Sequence, residues 1–399
     1  MHSAGSYQPS KRSTGSHPVI SKANGDRTVR LLVWRFHHFS TQSISIKCTE
    51  TKLKGYIALS LICISTGAAA QSSFTLWGRL DAGVQYLTNV AGQNGKRSNV
   101  WSADSGDAGA SAWGMTGVEY IGNGYKVNFK LLDYFQVTNG VAWNPFWENA
   151  YVGISGPFGS FRLGQDDSII KDGNYEFDPF SQQDIGLASL VRNANWPNFS
   201  NTISYYSPSF KGFDVAFQYS LNGVPGNFNS GRTAGVQLTY RLGGFSARTI
   251  YQEVRDANGK FSDLYAAQKQ VFVGAMYNVN HFKVQATYTY MAAPDAPQNR
   301  PRYADYGWFG VTYSATGPFT AMAAVYHIHQ RDGQGSATLL NLGSTYSLSK
   351  RTYLYATVGY LINGEHTNFS ATAQPPDSPY NPPIGHNQLG FFTGIMHYF

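Results

Sequence analysis

Apolar and polar side chains alternate with a period of two along most of the chain from residue 73 to the last residue. Between residues 125 and 131, for example, Tyr, Val, Phe and Leu hold the odd positions, and Lys, Asn and Lys hold the even ones. Successive side chains of a β-strand point to opposite faces, so this period predicts strands with one apolar and one polar face. The pattern continues through GIMHYF, and we expect a strand rather than a frayed tail at Phe399.

The connections between these predicted strands alternate between tight turns and longer loops. Short stretches rich in Gly, Asn, Ser and Pro are turn signals, and longer polar stretches separate them. Seven turns and eight loops in alternation connect sixteen strands. A sheet of sixteen strands in this up-and-down order has to close, because its open edges would aggregate. We therefore predict an all-β fold, a sixteen-stranded antiparallel β-barrel. The turns are 121–124, 156–159, 207–212, 241–244, 278–281, 315–318 and 347–351, and the loops are 88–108, 135–147, 167–199, 222–231, 256–267, 292–303, 330–335 and 363–387.

Two solvents fit this alternation of faces. In water the apolar faces pack together as in a β-sandwich, whereas in a bilayer the apolar face meets lipid and the polar face lines a lumen. The predicted strands reach about ten residues, the length of a tilted membrane strand, whereas strands of soluble proteins average about five or six. Charged residues make up 13% of the chain, against about 25% in ordinary soluble domains. These features favour a transmembrane barrel over a sandwich.

The net charge of +7 is confined to the N-terminal part of the chain. Residues 1–70 hold nine Lys and Arg and two acids, and residues 71–399 hold 21 of each sign. A neutral barrel domain argues against a nucleic-acid partner. Both cysteines, Cys48 and Cys63, also precede residue 71. The barrel domain therefore needs no disulfide, which suits export through an oxidising compartment.

Residues 53–70 have the pattern of a secretory signal peptide. Lys52 and Lys54 flank the start of an apolar run of about ten residues, and small residues follow it. The run is too short to cross a bilayer as a helix, and a buried core helix is the alternative interpretation. We predict cleavage after Ala70, which leaves the barrel domain as residues 71–399.

Residues 1–52 are unusual in front of a signal peptide. No methionine lies between Met1 and Met115. We therefore expect synthesis to begin near Leu53 from a non-AUG codon, which would make 1–52 a non-native extension.

Five stretches of the chain resemble the Gram-negative trimeric porins, in particular the β-proteobacterial branch of Burkholderia-like and Bordetella-like bacteria. They are spread from residue 72 to residue 399, so the likeness covers the whole predicted barrel. His397, third from the end, is usual in this branch. The stretches are SSFTLWGRLDAGVQY, AYVGISGPFGSFRLGQ, NTISYYSPSFKGFDVAFQY, YSLSKRTYLYATVGY and GIMHYF.

The resemblance implies a homotrimeric channel in the outer membrane of a Gram-negative bacterium, with a third extracellular loop that folds inward and narrows the lumen. By position this loop is 167–199, the longest internal loop in the sequence. Long loops without regular structure are often functional. We expect its charged residues to form the pore constriction: Asp167, Lys171, Asp172, Glu176, Asp178, Asp184 and Arg192.

The barrel wall departs from the family pattern. Relatives carry arginines at positions that match Ala112, Gln165 and Ser200, and none of these is basic here. The family's usual ion selectivity is therefore not implied. Because the loop holds five acids and two bases, we predict a weak preference for cations. Five other bases stand at the alternate strand positions that face the lumen, where each could line the pore, be solvated or anchor a loop. They are Arg79, Lys126, Lys130, Arg162 and Lys283.

The sequence contains no motif for catalysis or for nucleotide binding such as a P-loop, G-x-S-x-G, C-x-x-C or H-E-x-x-H. His327 and His329 share a strand face but have no third ligand of known position, so we predict no metal site. Asp166 and Asp167 are adjacent in a strand and should face opposite ways, which argues against a shared proton. We expect no cofactor and no enzymatic activity.

The sequence favours passive diffusion of small hydrophilic solutes and ions through a water-filled pore. The alternative is a substrate-selective channel that binds a small organic solute at the constriction loop, with Tyr175, Phe177, Phe180 and Trp196 as aromatic contacts. A third class, an outer-membrane hydrolase, would need a Ser/His/acid set that we do not find. Expected partners are two further copies, outer-membrane lipids and the assembly machinery, for which the resemblance implies that Phe399 is a signal.

Overall fold

The computed structural model describes residues 72–92, 96–143 and 147–399, and the predicted signal peptide and the 1–52 extension lie outside them. This part of the chain forms seventeen strands and two short helices. The strands are β1 (Ser73–Val90), β2 (Ser98–Asp104), β3 (Ser111–Gly122), β4 (Tyr125–Phe135), β5 (Asn149–Gly156), β6 (Gly159–Asp167), β7 (Asn198–Tyr206), β8 (Phe213–Ser220), β9 (Thr233–Leu242), β10 (Phe245–Val254), β11 (Lys269–Val279), β12 (Phe282–Ala292), β13 (Tyr303–Ser314), β14 (Phe319–Gln330), β15 (Gly335–Ser347), β16 (Thr352–Asn363) and β17 (Gln388–Tyr398). The helices α1 (Ile169–Phe177) and α2 (Leu187–Leu190) lie between β6 and β7.

All seventeen strands belong to one sheet that closes on itself. The first half of β1 pairs with β3 and its second half with β2, both antiparallel. The other edge of β1 pairs with β17, which closes the sheet. Because β2 and β3 occupy one position in turn, seventeen strands fill sixteen positions around the barrel. The predicted sixteen-stranded antiparallel β-barrel is confirmed.

The first predicted loop, 88–108, is wrong in part. Ser98–Asp104 continue the sheet as β2, so the chain leaves the sheet after Val90 and again at 105–110. We call 105–110 the insertion, because it separates two strands that share one position in the barrel. The other seven predicted loops and all seven turns connect strands where they were expected.

The outer wall of the barrel is apolar. On β15, Leu340 and Leu342 are 47% and 60% exposed, whereas the alternate residues Leu339 and Asn341 are buried. The inward positions include many buried polar side chains, among them Gln285 on β12. An apolar exterior around a polar interior is the surface of a barrel that spans a membrane.

The long segment 168–197, which we call loop 3, folds into the barrel as predicted. Ser168 begins α1 as an N-cap whose hydroxyl accepts the backbone N–H of Lys171 (3.2 Å). The apolar side chains of loop 3 are fully buried against inward-facing residues of β10–β16. The hydrophobic core of this protein is therefore inside the barrel. Its loop members include Ile169, Ile170, Phe177, Phe180, Leu187 and Leu190, and its wall members include Ile250, Phe272, Trp308, Tyr326, Leu339 and Leu361.

The last residue takes part in barrel closure. Phe399 donates its backbone N–H to the carbonyl of Gly78 (3.0 Å), and Gly78 donates to the carbonyl of Phe399 (3.2 Å). The ring of Phe399 lies over Gly78, where any Cβ would collide with it. The side chain is 49% exposed on the outside. Phe399 is thus paired and packed at the β1–β17 seam rather than frayed.

Removal of the terminal aromatic group should impair assembly. We expect deletion of Phe399, or Phe399→Ala, to reduce the folded protein in the outer membrane severely, because the closing seam loses its contact with Gly78. Phe399→Tyr keeps the ring and should assemble normally. Quantification of heat-modifiable protein in outer-membrane fractions measures this, and normal levels of the deletion variant would contradict it.

The orientation of the barrel can be tested with protease. We expect the longer loops to face the cell exterior and the turns to face the periplasm. Loop 222–231 is almost wholly exposed, whereas Phe369, Ala371 and Thr372 of the last long loop are buried. Proteinase added to intact cells should therefore cut within 222–231 first, and cleavage at the 241–244 turn would overturn this topology.

Candidate pore constriction

Wall side chains hold loop 3 against one side of the barrel. The indole N–H of Trp308 donates to the carbonyl of Phe177 (2.8 Å). The hydroxyl of Tyr326 donates to Asp178 Oδ1 (2.5 Å), and both residues are buried. These hydrogen bonds are made in the apolar core, where an unmade bond is costly. They fix the loop on the β10–β16 side and leave the β1–β6 side of the lumen open.

The far end of loop 3 is tied to the last long loop. Arg192 donates to the side-chain oxygen of Asn368 (2.9 Å), and its guanidinium carbon lies 4.4 Å from the centre of the Phe369 ring. The hydroxyl of Ser189 donates to the carbonyl of Ala371 (2.7 Å). The structure therefore places Arg192 as an anchor of the loop, away from the open side.

A cavity of about 1150 Å³ separates loop 3 from the β1–β6 wall, and we take it as the candidate constriction. Charged and aromatic groups dominate its lining. The carboxyl groups are those of Asp104, Asp107, Glu148, Asp167, Asp172 and Asp184, the basic groups are those of Arg79, Lys130 and Lys171, and the aromatic residues include Trp77, Tyr134, Trp143, Tyr175 and Trp196.

The insertion braces loop 3 from the side of β1. The Oδ2 atom of Asp81 on β1 accepts the backbone N–H groups of Ala108 and Gly109 (2.9 and 3.0 Å). The carbonyl of Asp107 then accepts the backbone N–H of Asp184 in loop 3 (3.0 Å). Sequence analysis missed this brace because it treated the whole of 88–108 as a surface loop.

Asp167 is the last residue of β6 rather than part of the loop, and it lies between two lysines. Its carboxylate is 2.7 Å from Lys171 Nζ and 3.9 Å from Lys130 Nζ. Burial alone would lower the pKa of Lys171, but the charge and hydrogen bond of Asp167, together with Tyr134 and Glu148, outweigh it and raise that pKa. Asp167, Lys171 and Lys130 thus form a single cluster of charges.

Glu176 on α1 is paired with bases that sequence analysis did not single out. Arg248 on β10 contacts its carboxylate, and so does Arg241 on β9 (3.2 Å), which also pairs with Asp214 (2.6 Å). The charge of Glu176 is therefore neutralised by the wall and does not add to the negative charge of the open side. The alternation of β10 already places Arg248 on the inner face, but only the structure shows that it reaches Glu176.

The remaining loop acids differ in burial. Asp178 is 1% exposed and accepts hydrogen bonds from Tyr326 and from the backbone, so it points into the core. Asp172 is exposed to the lumen, yet desolvation by the surrounding protein and the charge of Asp167 raise its pKa to about 6. Burial and the charge of Asp104 raise the pKa of Asp184 to about 7.

The five predicted wall bases occupy different places. Arg79 and Lys130 line the cavity, and Arg79 donates to the carbonyl of residue 110 in the insertion (2.6 Å). Arg162 pairs with Asp166 (3.3 Å). Lys126 lies at the turn end of the barrel over the ring of Tyr120, and Lys283 lies on the opposite wall, where Glu176 and Asp178 are the nearest acids. The structure therefore brings two of the five to the constriction.

The three positions without the family's arginines are on the cavity side of the wall. Ala112 is fully buried, and the hydroxyl of Ser200 donates to Gln165 Oε1 (3.1 Å). The register shift at β6 between residues 164 and 166 changes the alternation. As a result, Asp166 and Asp167 both contact inward-facing bases, so the expectation of opposite faces is wrong.

The described residues contain neither a metal-ligand cluster nor a membrane-spanning helix. No three His, Cys, Asp or Glu side chains among them come together as a metal site requires. No helix in this part of the chain is long and apolar enough to cross a membrane.

A closed barrel with a lipid-facing wall and an internal loop that narrows a charged lumen is a membrane channel. The family model described as Gram-negative porin matches residues 58–366, and the chain belongs to this family. It is an outer-membrane porin, a water-filled channel for passive diffusion of small hydrophilic solutes and ions.

Relatives of known name agree with this assignment. Outer membrane porin protein 32 of Delftia acidovorans is 28% identical over 376 residues, which cover 87% of this chain and 99% of the relative. An outer membrane porin protein of Bordetella pertussis is 25% identical over 369 residues, which cover 78% of this chain and 94% of the relative. A solved anion-selective porin from Comamonas acidovorans has a TM-score of 0.69 at 24% identity, with 82% of this chain and 100% of the other covered.

The ionisation of Asp184 should make ion selectivity depend on pH. Its pKa of about 7 means that the group is mostly neutral at about pH 6 and mostly charged at about pH 8. The permeability of K⁺ relative to Cl⁻ should therefore rise across this interval. Asp184→Asn should reduce the rise to the smaller part that Asp172 contributes, whereas the exposed loop variant Asp332→Asn should keep it in full. Reversal potentials at several pH values measure the effect, and an equal rise in Asp184→Asn would contradict it.

Proposed function

We propose that solutes cross through the cavity between loop 3 and the β1–β6 wall, with a weak preference for cations near neutral pH. The observation that supports this proposal is the imbalance of charge in the lining, where six carboxyl groups face three basic groups. Excess charge of one sign in a narrow passage favours the opposite ion, because screening is weak within about 10 Å at 0.1 M salt.

Part of this imbalance is cancelled locally. Burial, together with the neighbouring carboxylates, raises the pKa of Asp107 in the insertion to about 9, so this group is neutral at pH 7. Asp167 cancels one of the charges of its two lysines and leaves one positive charge. The carboxyl groups of Asp104, Glu148 and Asp172 and the ionised fraction of Asp184 then outweigh that charge and Arg79. The preference should therefore be weak rather than strong.

The proposed sign is opposite to that of the Comamonas acidovorans porin, which is described as anion-selective. Two features of this chain support the difference. The wall positions Ala112, Gln165 and Ser200 carry no charge. The inward-facing base Arg248 forms an ion pair with Glu176 on the far side of the loop. Neither position adds a free cation to the open side.

We also propose that three copies associate and that the chain contacts outer-membrane lipids and the assembly machinery through its terminal strand. A trimer form of Vibrio cholerae OmpT, with a TM-score of 0.59 and 14% identity, has the same fold. The exposed apolar wall supplies surface for both lipid and neighbouring copies.

Reversal potentials in a tenfold KCl gradient test the proposed selectivity. Wild type should prefer K⁺ weakly. Asp172→Asn removes a lumen-exposed charge, and one charge at about 4 Å in water acts with about 1 kcal/mol, so the K⁺/Cl⁻ ratio should fall by about two- to fivefold. Asp332→Asn is the control, because it removes an exposed carboxylate from the 330–335 loop that does not line the cavity. Anion preference in wild type, or equal effects of both variants, would overturn the proposal.

The second candidate, a channel selective for a small organic solute, is favoured by the aromatic lining of the cavity. A binding site in the pore makes flux saturable and lets the solute block ion current, whereas a general pore conducts in proportion to concentration. We expect non-saturating flux of small sugars and amino acids through wild type. Block of the K⁺ current at micromolar solute, weakened in Trp196→Ala, would instead establish the selective channel.

A further inference from the structure

The outer wall has an apolar groove of about 410 Å³ across β7–β10. It is formed where small residues on β9, Ala234 and Gly235, lie between larger residues of the neighbouring strands. Its outward-facing aromatic borders are Tyr205, Phe217, Tyr219 and Tyr251. In a bilayer this groove faces hydrocarbon, so an acyl chain fills it.

A positively charged patch lies directly beyond the groove, towards the loop end of the barrel. Arg232 contacts Glu253 (2.7 Å), and Arg255 contacts the same carboxylate (3.5 Å). Lys269 is the register partner of Glu253 on the next strand. Two arginines therefore share one acid, with Lys269 on the neighbouring strand, and the Nε–H of Arg232 has no hydrogen-bond partner among the described residues.

The patch and the groove are one continuous feature. Tyr251 borders the groove and its hydroxyl donates to Glu253 (3.3 Å). Ala234, in the groove, is the register partner of Glu253. Arg232 precedes Ala234 by two residues, directly before the start of β9, and is about 7 Å away at strand spacing. An apolar slot with surplus positive charge about 7 Å above it matches a molecule with an acyl chain and an anionic headgroup.

We propose that this feature is a binding site for a phosphorylated, acylated lipid, with one acyl chain in the groove and a phosphate against Arg232 and Arg255. The guanidinium groups supply bidentate donors of the geometry that phosphate oxygens accept. The patch is on the outer wall, so the site is separate from the pore. Lipid binding there and ion conduction should be independent of each other.

The binding experiment compares diphosphorylated lipid A with its dephosphorylated form, each added to the purified protein in detergent and counted by native mass spectrometry. Wild type should bind the phosphorylated form more tightly. Arg232→Gln/Arg255→Gln should weaken that binding about 25-fold, because each of the two bases near an anionic headgroup contributes about a fivefold factor, and should leave the dephosphorylated form nearly unchanged. The single-channel conductance of this double variant should equal that of wild type.

Matched variants make the result decisive. Arg331→Gln removes a base that one acid, Asp305, already balances at the loop end, so binding should not change. Ala234→Trp fills the groove, should weaken both lipid forms, and tests the site even if the double variant misfolds. Equal affinity of wild type for the two forms would overturn the proposal. So would binding of the phosphorylated lipid that Ala234→Trp leaves intact, or a change of oligomeric state in Ala234→Trp, which would make a second copy the occupant.

Discussion

Backbone N–H and C=O groups of a sheet in lipid must find partners within the sheet, because hydrocarbon offers none. For this chain the constraint is met by closure of β1 on β17. The pairing extends to the last residue, where Phe399 and Gly78 exchange backbone hydrogen bonds. It also explains the divided position of β2 and β3, since β1 is longer than either and needs both to pair along one edge. The outer apolar wall and the enclosed lumen follow from that closed ring.

Closure produces a lumen whose two sides are used differently. On the β10–β16 side, loop 3 buries apolar residues such as Phe177 and Phe180 against the wall. On the β1–β6 side, ionisable groups line a cavity of about 1150 Å³. The charges of the loop are divided in the same way: Asp178 belongs to the core, and Asp172 faces the passage. The net charge of the whole loop therefore does not give the charge on either side of the lumen.

The strands and turns were predictable because lipid imposes a period of two that each strand shows locally, as β15 does. The site was less predictable because its contacts are distant in sequence. Inward-facing Phe272 conflicts with a polar lumen until loop 3 covers it, and no period indicates where that loop lies. Asp178 has the sequence context of a solvated loop acid, yet its partner Tyr326 is 148 residues away. The alternation along β10 places Arg248 on the lumen side of the wall, but it gives no information on its pairing with Glu176.

The interior core determines how this channel behaves mechanically. Displacement of loop 3 would expose the side chains of Ile169, Ile170, Phe177, Phe180 and Leu187 to water, at about 1.5–3 kcal/mol each. A swinging gate at that cost would open too rarely to carry flux. The constriction therefore has a fixed size, and the folded barrel sets the largest solute that can pass. Differences in what passes at a given size then arise from protonation and from the identity of lining side chains.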